Sequence, residues 1–413
     1  MTKEYIPMFM SRKQMIKFNS SEKFEHIVWK ASSKEGLCIF ELEEKWRVLS
    51  WWNQERITHS LDAIQLNPST PPSKIPFEGG WVGWMEYPQP EKPAKLLFWE
   101  CDGAICLNLQ EQVYYITGTK DFCSQARYLF SRKALSIPDR VSARVPRATE
   151  HDRSLFCDGI VALKEAIKDG KVYQANLSWK SAPFKLDTPL AHYFNLQNNN
   201  KARFGCFLQF QRNYIISNSP ELFLKSWTIE NQTFVMSQPI KGTSNRTLEE
   251  KRRLWVNPKE HAELTMITDL MRNDLGRLAA KGSVFTSHRS LRRCGDLLHA
   301  QQSIFTKLKP EYTIIDTLKT AFPAGSISGA PKLSAMQYIF ELENHHRGIY
   351  TGSLGFLSSS GRSHFNVAIR TLHVQEDMCS LCVGCGIVFD SIPQKEWEES
   401  KAKGRAISHL LFT

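Results

Sequence analysis

Two periods of apolar and polar positions succeed one another along this chain. Through about residue 133 the apolar runs are short and β-like. "LCIFELEEKWRVLS" and "AICLNLQEQVYYITG" are rich in β-branched and aromatic residues, and turn signals separate them. The glycines and tryptophans of "EGGWVGWMEYPQPEKP" mark one more loop-bounded strand. The stretch "SIPDRVSARVPRATEHD" is polar, carries two prolines and has the composition of a linker. Beyond it "SLFCDGIVALKEAIKDG" places Phe156, Ile160, Leu163 and Ile167 at helical spacing. Strands are expected in "KVYQANLSW" and through "FGCFLQFQRNYIIS". No internal repeat or low-complexity segment interrupts this order. The expected division is an N-terminal region over 1–135, a linker over 136–153 and a larger region over 154–413.

Helical periodicity is strongest in two later segments. "PKEHAELTMITDLMRNDLG" predicts a helix from Pro258, a residue favoured in a first turn, to Gly276. Its apolar stripe of Leu264, Ile267, Leu270 and Met271 is continued one turn back by Glu260 and Glu263. A second helix is expected after "VFDSIPQKEWEES", with Ser391 and Gln394 in a capping-box pattern and Pro393 in the first turn. There Glu396 and Glu399 share a face with Lys403, Ala406 and Leu410.

Two helices thus each carry a Glu-x-x-Glu pair on the side leading into the core. A surface pair of this spacing is commonplace, but two pairs aligned with apolar stripes are not. Buried carboxylates repel one another and are costly to desolvate unless a cation sits among them. The donors are oxygen only, with no histidine or thiolate at matching spacing, so the expected occupant is Mg2+.

Composition changes this picture little. The 413 residues are 42% hydrophobic and 23% charged, ordinary for a globular chain. The net charge of +11 points to anionic partners, yet the densest basic clusters, "KRR" at 251–253 and "RSLRR" at 289–293, are short. No basic and aromatic interleaving of the kind that stacks single-stranded bases occurs, which argues against nucleic acid. No apolar run reaches 18 residues and "MTKEYIPMFMSRKQ" has no leader-like core, so no membrane partner and a cytoplasmic location are expected. Cys379, Cys382 and Cys385 read C-x2-C-x2-C, but no fourth cysteine follows and the segment reads as a buried strand. Metal held by sulfur is not expected.

Smaller polar pieces remain. "SQPIKGTSNR" sets Lys241 before Gly242 and Thr243, an order opposite to that of a phosphate loop, in which the glycines precede the lysine. Lys241 is expected at the mouth of a tight turn. "AGSISGAPKLSAM" places Gly325, Ser326, Ser328 and Gly329 ahead of a helix starting near Pro331, a site suited to a carboxylate. "RGIYTGSLGF" carries Tyr350 at a turn, "FNVAIRTL" sets Arg370 in an alternating strand, and "VGCGIV" allows close backbone approach at Gly384 and Gly386.

In order and spacing, "SNSPELF", "PIKGT", "KEHAELTMITDLMRNDLG", "LLH", "GSISGAPKLSAM", "IYTGSLGF", "FNVAIRTL" and "GCGIVFDSIPQKEWEES" resemble the motifs of the chorismate-utilising enzymes. That family includes anthranilate, aminodeoxychorismate, isochorismate and salicylate synthases. The likeness spans about residues 155 to 410, and more loosely "FEGGWVGWMEY". It implies an α/β structure of the α+β type, two facing β-sheets with helices on the outside.

Two positions separate the chemistries within the family. Isochorismate and salicylate synthases have a lysine base where this chain has Gln174. The residue before Gly-Thr is usually alanine in anthranilate synthases and lysine in aminodeoxychorismate synthases, and here it is Lys241. The pattern is therefore similar to the synthetic component of the latter, with anthranilate synthase component I as the alternative. The resemblance implies a catalytic set of Lys241 as nucleophile, Glu221 of "SPELF" as general acid, and His299. Gly242, Thr243, Ser326, Tyr350, Arg370, Gly384, Gly386 and Lys403 would contact chorismate, and Glu260, Glu263, Glu396 and Glu399 would hold Mg2+. Asp274 and Arg272 are read as structural. No glutaminase nucleophile of the G-x-C-x-G type occurs, so a separate glutamine amidotransferase subunit is expected to supply ammonia. No pyridoxal-phosphate lyase follows Thr413, so another protein is expected to release 4-aminobenzoate. Cys385 departs from the glycine common in the family turn and is expected to narrow the pocket.

Overall fold

Tight turns at left-handed residues fold the β-like runs back on themselves. Glu43 and Glu44, at φ 54° and 59°, join the strands Cys38–Leu42 and Trp46–Ser50. Glu230 and Asn231, at φ 48° and 61°, make the two-residue connection between Leu222–Ile229 and Gln232–Gln238. Positive φ at both central positions matches the right-handed twist of the flanking strands. The computed structural model describes residues 14–66, 74–90, 92–133, 145–244, 247–294 and 297–408.

The strands assemble into a 12-stranded sheet, a 9-stranded sheet and a 3-stranded sheet, the last made of Ile240–Ser244, Leu297–Gln301 and Ser290–Cys294. The two large sheets face one another through aromatic rings. Phe40 meets Phe356 at 5.2 Å between ring centroids, and Trp99 stacks on Phe210 at 5.2 Å. Such rings bury large areas, and this contact between inner faces is the centre of the core. Three helices, Glu150–Lys168, Lys332–Leu342 and Pro393–Ser408, lie against the strands Gln174–Lys180 and Met378–Ile387. There Trp397 packs 4.9 Å from Trp179 and 5.8 Å from Phe156. The mixed α+β architecture with extensive antiparallel sheet agrees with expectation.

Residues 1–135 and 154–413 share both large sheets. Cys38–Leu42 pairs with Cys206–Phe210 in one, and Gly80–Met85 pairs with Ser353–Ser358 in the other. Of the expected linker, 136–144 fall outside the described residues. Its last residues already belong to the helix Glu150–Lys168, which Thr149 and Asp152 open with a reciprocal capping box.

The helix Pro258–Gly276 has the bounds its periodicity predicts, and Asn257 caps it by accepting from the Lys259 and Glu260 amides. The other acidic helix begins at Pro393, but the expected capping box does not form. The Ser391 hydroxyl accepts from the Val388 amide, and Gln394 accepts from the Arg153 guanidinium instead. Among the described residues no helix is long and apolar enough to cross a membrane.

Candidate active site

One cavity of about 490 Å3 opens where the three sheets and the two acidic helices converge. Its wall contains Glu221, Lys241, Gly242, His299, Ser326, Tyr350, Arg370, Gly384, Gly386 and Lys403, together with Glu260, Glu263, Glu396 and Glu399. The expected residues, scattered over nearly two hundred positions, are thus brought together. Thr243 pairs with His299 in the sheet, but its side chain lies outside the described residues.

Lys241 is not at a turn. It lies in the strand Ile240–Ser244, where the ladder to Leu297–Gln301 shifts register between Lys241 and Thr243. Gly242 is the bulged residue at φ 69°, and a Cβ there would stand 2.6 Å from a Glu260 carboxylate oxygen. Glycine is needed both for the dihedral and for the space. The amine extends toward Gly386, where it lies 3.2 Å from the place a Cβ would occupy. The same point is already crowded by the Gln174 amide.

Glu221 is buried just before the strand Leu222–Ile229, with its amide on the Ser219 hydroxyl at 3.2 Å. Burial pushes its carboxyl up to about 7, against the opposing influence of the Ser326 hydroxyl and Lys241. His299 is driven down to about 3 by burial, aided by the charge of Arg370. The ring is therefore neutral, and its Nδ1 stands 3.2 Å from the Gly242 carbonyl, which accepts its proton. A neutral imidazole held this way orients neighbours and is a weak base.

Ser326 sits in a helical turn of its own, Gly325–Ser328, ahead of the helix Lys332–Leu342, which starts just after Pro331 as expected. Arg370 is not within a strand. It adopts φ 51° at the junction between Ser363–Val367 of the 9-stranded sheet and Thr371–Gln375 of the 12-stranded sheet. The crossover explains why an alternating pattern runs through a residue that no ladder includes.

The backbone around Gly384 and Gly386 is open toward the cavity. Leu381 exchanges hydrogen bonds with Ser181, so the odd positions of Met378–Ile387 face the strand Gln174–Lys180. In an antiparallel ladder the even positions then direct N–H and C=O the other way. The pairing with Thr371–Gln375 ends at Leu381, and the Gly384 carbonyl accepts from Lys403 at 3.3 Å. The same alternation disperses the three cysteines. Cys382 faces the cavity, whereas Cys385 turns away and its thiol donates to the Glu396 carbonyl at 3.4 Å. Burial holds that thiol at about 12, so it is a protonated donor and leaves the pocket unnarrowed.

The carboxylates of the two acidic helices act on one another. Burial, with Glu263 and Glu399 close by, holds Glu260 above the usual carboxylate range. Burial and Glu399 likewise raise Glu396, outweighing a hydrogen bond from Ser391. Lys403, 2.8 Å away, holds Glu399 below the usual range. Ligand atoms of Glu396, Glu399 and Cys385 lie within 4.8 Å of one another. The thiol beside these two carboxylates departs from the oxygen-only expectation, while the carboxylate oxygens themselves suit Mg2+.

Two polar cavity residues escaped the sequence, along with the apolar ones. Lys259 borders Glu260 in the first turn, and its charge acts on Glu260, Glu396 and Glu399. Asn176 follows Gln174 at period two in the strand Gln174–Lys180, a signal that alternation could have exposed. Asp274 pairs with Lys332 at 2.5 Å and Arg272 with Asp269 at 2.7 Å, away from the cavity.

Comparison with known proteins agrees with this arrangement. A family model described as chorismate binding enzyme matches residues 16–409. Anthranilate synthase component 1 of Aquifex aeolicus is 38% identical over 259 residues, covering 61% of this chain and 52% of that protein. The match thus spans about half of that relative's length. Aminodeoxychorismate synthase component 1 of Salmonella typhimurium is 32% identical over 374 residues, covering 85% and 80%. The crystal structure of anthranilate synthase component I from Streptococcus pneumoniae superposes with a TM-score of 0.72 at 24% identity, covering 99% of this chain and 94% of that one. With the family model spanning nearly the whole sequence, this chain belongs to the chorismate binding enzyme family.

Proposed function

We propose that the protein is the synthetic component of an aminodeoxychorismate synthase, converting chorismate and ammonia to 4-amino-4-deoxychorismate and water. The observation that carries the reading is Lys241, a primary amine inside the cavity and beside the buried Glu221. An amine there can act as a nucleophile when deprotonated, and a carboxyl held near neutrality can act as its partner acid.

Two displacements follow. The Lys241 amine bonds to C2 of chorismate as the ring double bonds shift and the C4–oxygen bond breaks. Glu221 gives its proton to the departing hydroxyl, which leaves as water, and regains one from the new ammonium. Ammonia then bonds to C4, the double bonds shift back, and the bond from C2 to Lys241 breaks. Glu221 returns its proton to the lysine nitrogen and takes one from the product amine. Splitting one displacement into two is what a covalent intermediate contributes. His299 holds the Gly242 carbonyl, and hence the bulge that aims Lys241. Tyr350, Arg370 and the amides of Gly384 and Gly386 are suited to the side-chain carboxylate, with Ser326 and Lys403 completing the wall. Mg2+ on Glu260, Glu263, Glu396 and Glu399 would, when bound, neutralise the ring carboxylate. A glutamine amidotransferase subunit would supply the ammonia.

The rival reading is anthranilate synthase component I, which the Aquifex aeolicus likeness favours. Incubation with chorismate, Mg2+ and ammonium, followed by product separation, decides between them. The expected product yields 4-aminobenzoate only after a lyase is added. Anthranilate formed without a lyase would overturn the assignment.

A further inference from the structure

A fully buried guanidinium joins three separate walls of the cavity. Arg347 follows the helix Lys332–Leu342, and its side chain is 2% exposed. Arginine has five N–H donors in a rigid fork, and here each has an acceptor. Nε donates to Glu343 at 2.9 Å, and Nη1 donates to the Ile327 carbonyl at 3.0 Å and the Thr351 hydroxyl at 3.2 Å. Nη2 donates to Glu343 at 2.6 Å and to the Asn176 carbonyl. The guanidinium also lies over the ring of Tyr350, 5.9 Å from its centroid, and over that of Tyr87 at 4.6 Å.

Asn176, Ile327 and Tyr350 all line the cavity but belong to a strand, a short helical turn and a loop; the two-residue ladder of Gly329–Ala330 with Gln174–Ala175 joins the first two just beyond the turn, and the loop lies outside that ladder. Glu343 extends the same fastening, accepting from both the amide and the hydroxyl of Ser178 at 2.7 Å. We propose that Arg347 is a positioning residue, fixing these three walls in one arrangement so that the chorismate pocket is preformed. Its charge does not reach the ligand: the cation is already matched by the Glu343 carboxylate, and Arg347 itself is not part of the cavity wall. A lysine would keep the charge but offer three donors from a single point, so it could not span all the acceptors.

The proposal rests on the chorismate reading for its ligand, and its test separates the two. Wild-type turnover with chorismate and ammonium tests that reading. Hydrogen exchange without substrate tests the fastening. In Arg347→Lys, amide exchange is expected to quicken about tenfold in 174–178, 325–330 and 349–352 together, with Gly103–Asn108 unchanged. The kcat/KM for chorismate should fall by at least about tenfold, mostly through KM, because a loosened wall binds less well before it reacts less well. Exchange that quickens in only one of the three segments, or equally throughout the chain, overturns the proposal. So does a kcat/KM within twofold of wild type. If the lysine variant does not fold, Glu343→Gln serves the same test, since it keeps the shape and weakens the clamp on the guanidinium. It should produce the same three-segment pattern, and its absence there counts equally against the idea.

Discussion

Adding one methyl group at Gly386 should separate catalysis from stability. A Cβ at this position would collide with the Gln174 amide and stand 3.2 Å from the Lys241 amine. Carbon and nitrogen settle about 3.5–4.0 Å apart, so the Gln174 amide must retreat by about 1 Å and the lysine nitrogen by a few tenths. Both atoms are the far ends of flexible side chains, so the fold can accommodate the methyl by small rotations. The amine, however, leaves the position from which it reaches the ring. A misplacement of about 1 Å costs on the order of 100-fold in rate, so a shift of a few tenths should cost Gly386→Ala roughly 3-fold to 10-fold in kcat/KM. Its melting temperature should move little. Gly384→Ala is the contrast. Its Cβ would strike the Leu177 carbonyl and stand 2.8 Å from the Ser178 Cβ, neither of which can swing away. Overpacking against fixed atoms costs about 1–3 kcal/mol, so that variant should lose stability first. The assay is steady-state consumption of chorismate with ammonium, alongside thermal unfolding of both variants. Activity of Gly386→Ala within threefold of wild type, or a loss of stability matching that of Gly384→Ala, would refute the placement of the Lys241 amine.

Removing that amine with Lys241→Ala should abolish the covalent route, and undiminished aminodeoxychorismate synthesis by the variant would eliminate the two-step mechanism. Glu221→Gln should reduce kcat by about 10²–10⁴-fold, the usual range for a lost general acid. In the wild type, activity that depends on the protonated Glu221 should fall as pH rises through about 7, a decline visible in the pH profile of kcat/KM. The stability linkage has the same direction. The folded carboxyl holds its proton up to about 7 and the unfolded one only to 4.5, so the contribution is complete below 4.5 and lost as pH rises through 7. Unfolding titrations of Glu221→Gln should lack this loss, and an unchanged pH dependence would count against a buried protonated carboxyl. Glu263→Ala and Glu399→Ala should each weaken Mg2+ binding measured by calorimetry, and unaltered affinity in both would displace the metal site from these helices.

The sequence made periodic features legible and left crossings between elements hidden. The helix Pro258–Gly276 was readable to the residue because its start, cap and stripe are all local. The acidic pairs were readable because a helix puts positions three apart on one face. Lys241 looked like a turn residue because a bulge and a turn draw on the same glycine, and only the ladder to Leu297–Gln301 distinguishes them. Arg370 looked like a strand residue because apolar alternation passes through it. Its crossover between sheets depends on Val367 pairing with Ser353 while Thr371 pairs with Ser217. Arg347 gave no signal at all. Its acceptors lie 171, 20 and 4 residues away, and no period links such intervals. A chemical group that touches substrate can be found by its type and motif, but a group that holds such residues apart or together is defined by distances. In this protein the lysine of the cavity was visible in one dimension, and the guanidinium fork beside it became visible only in three.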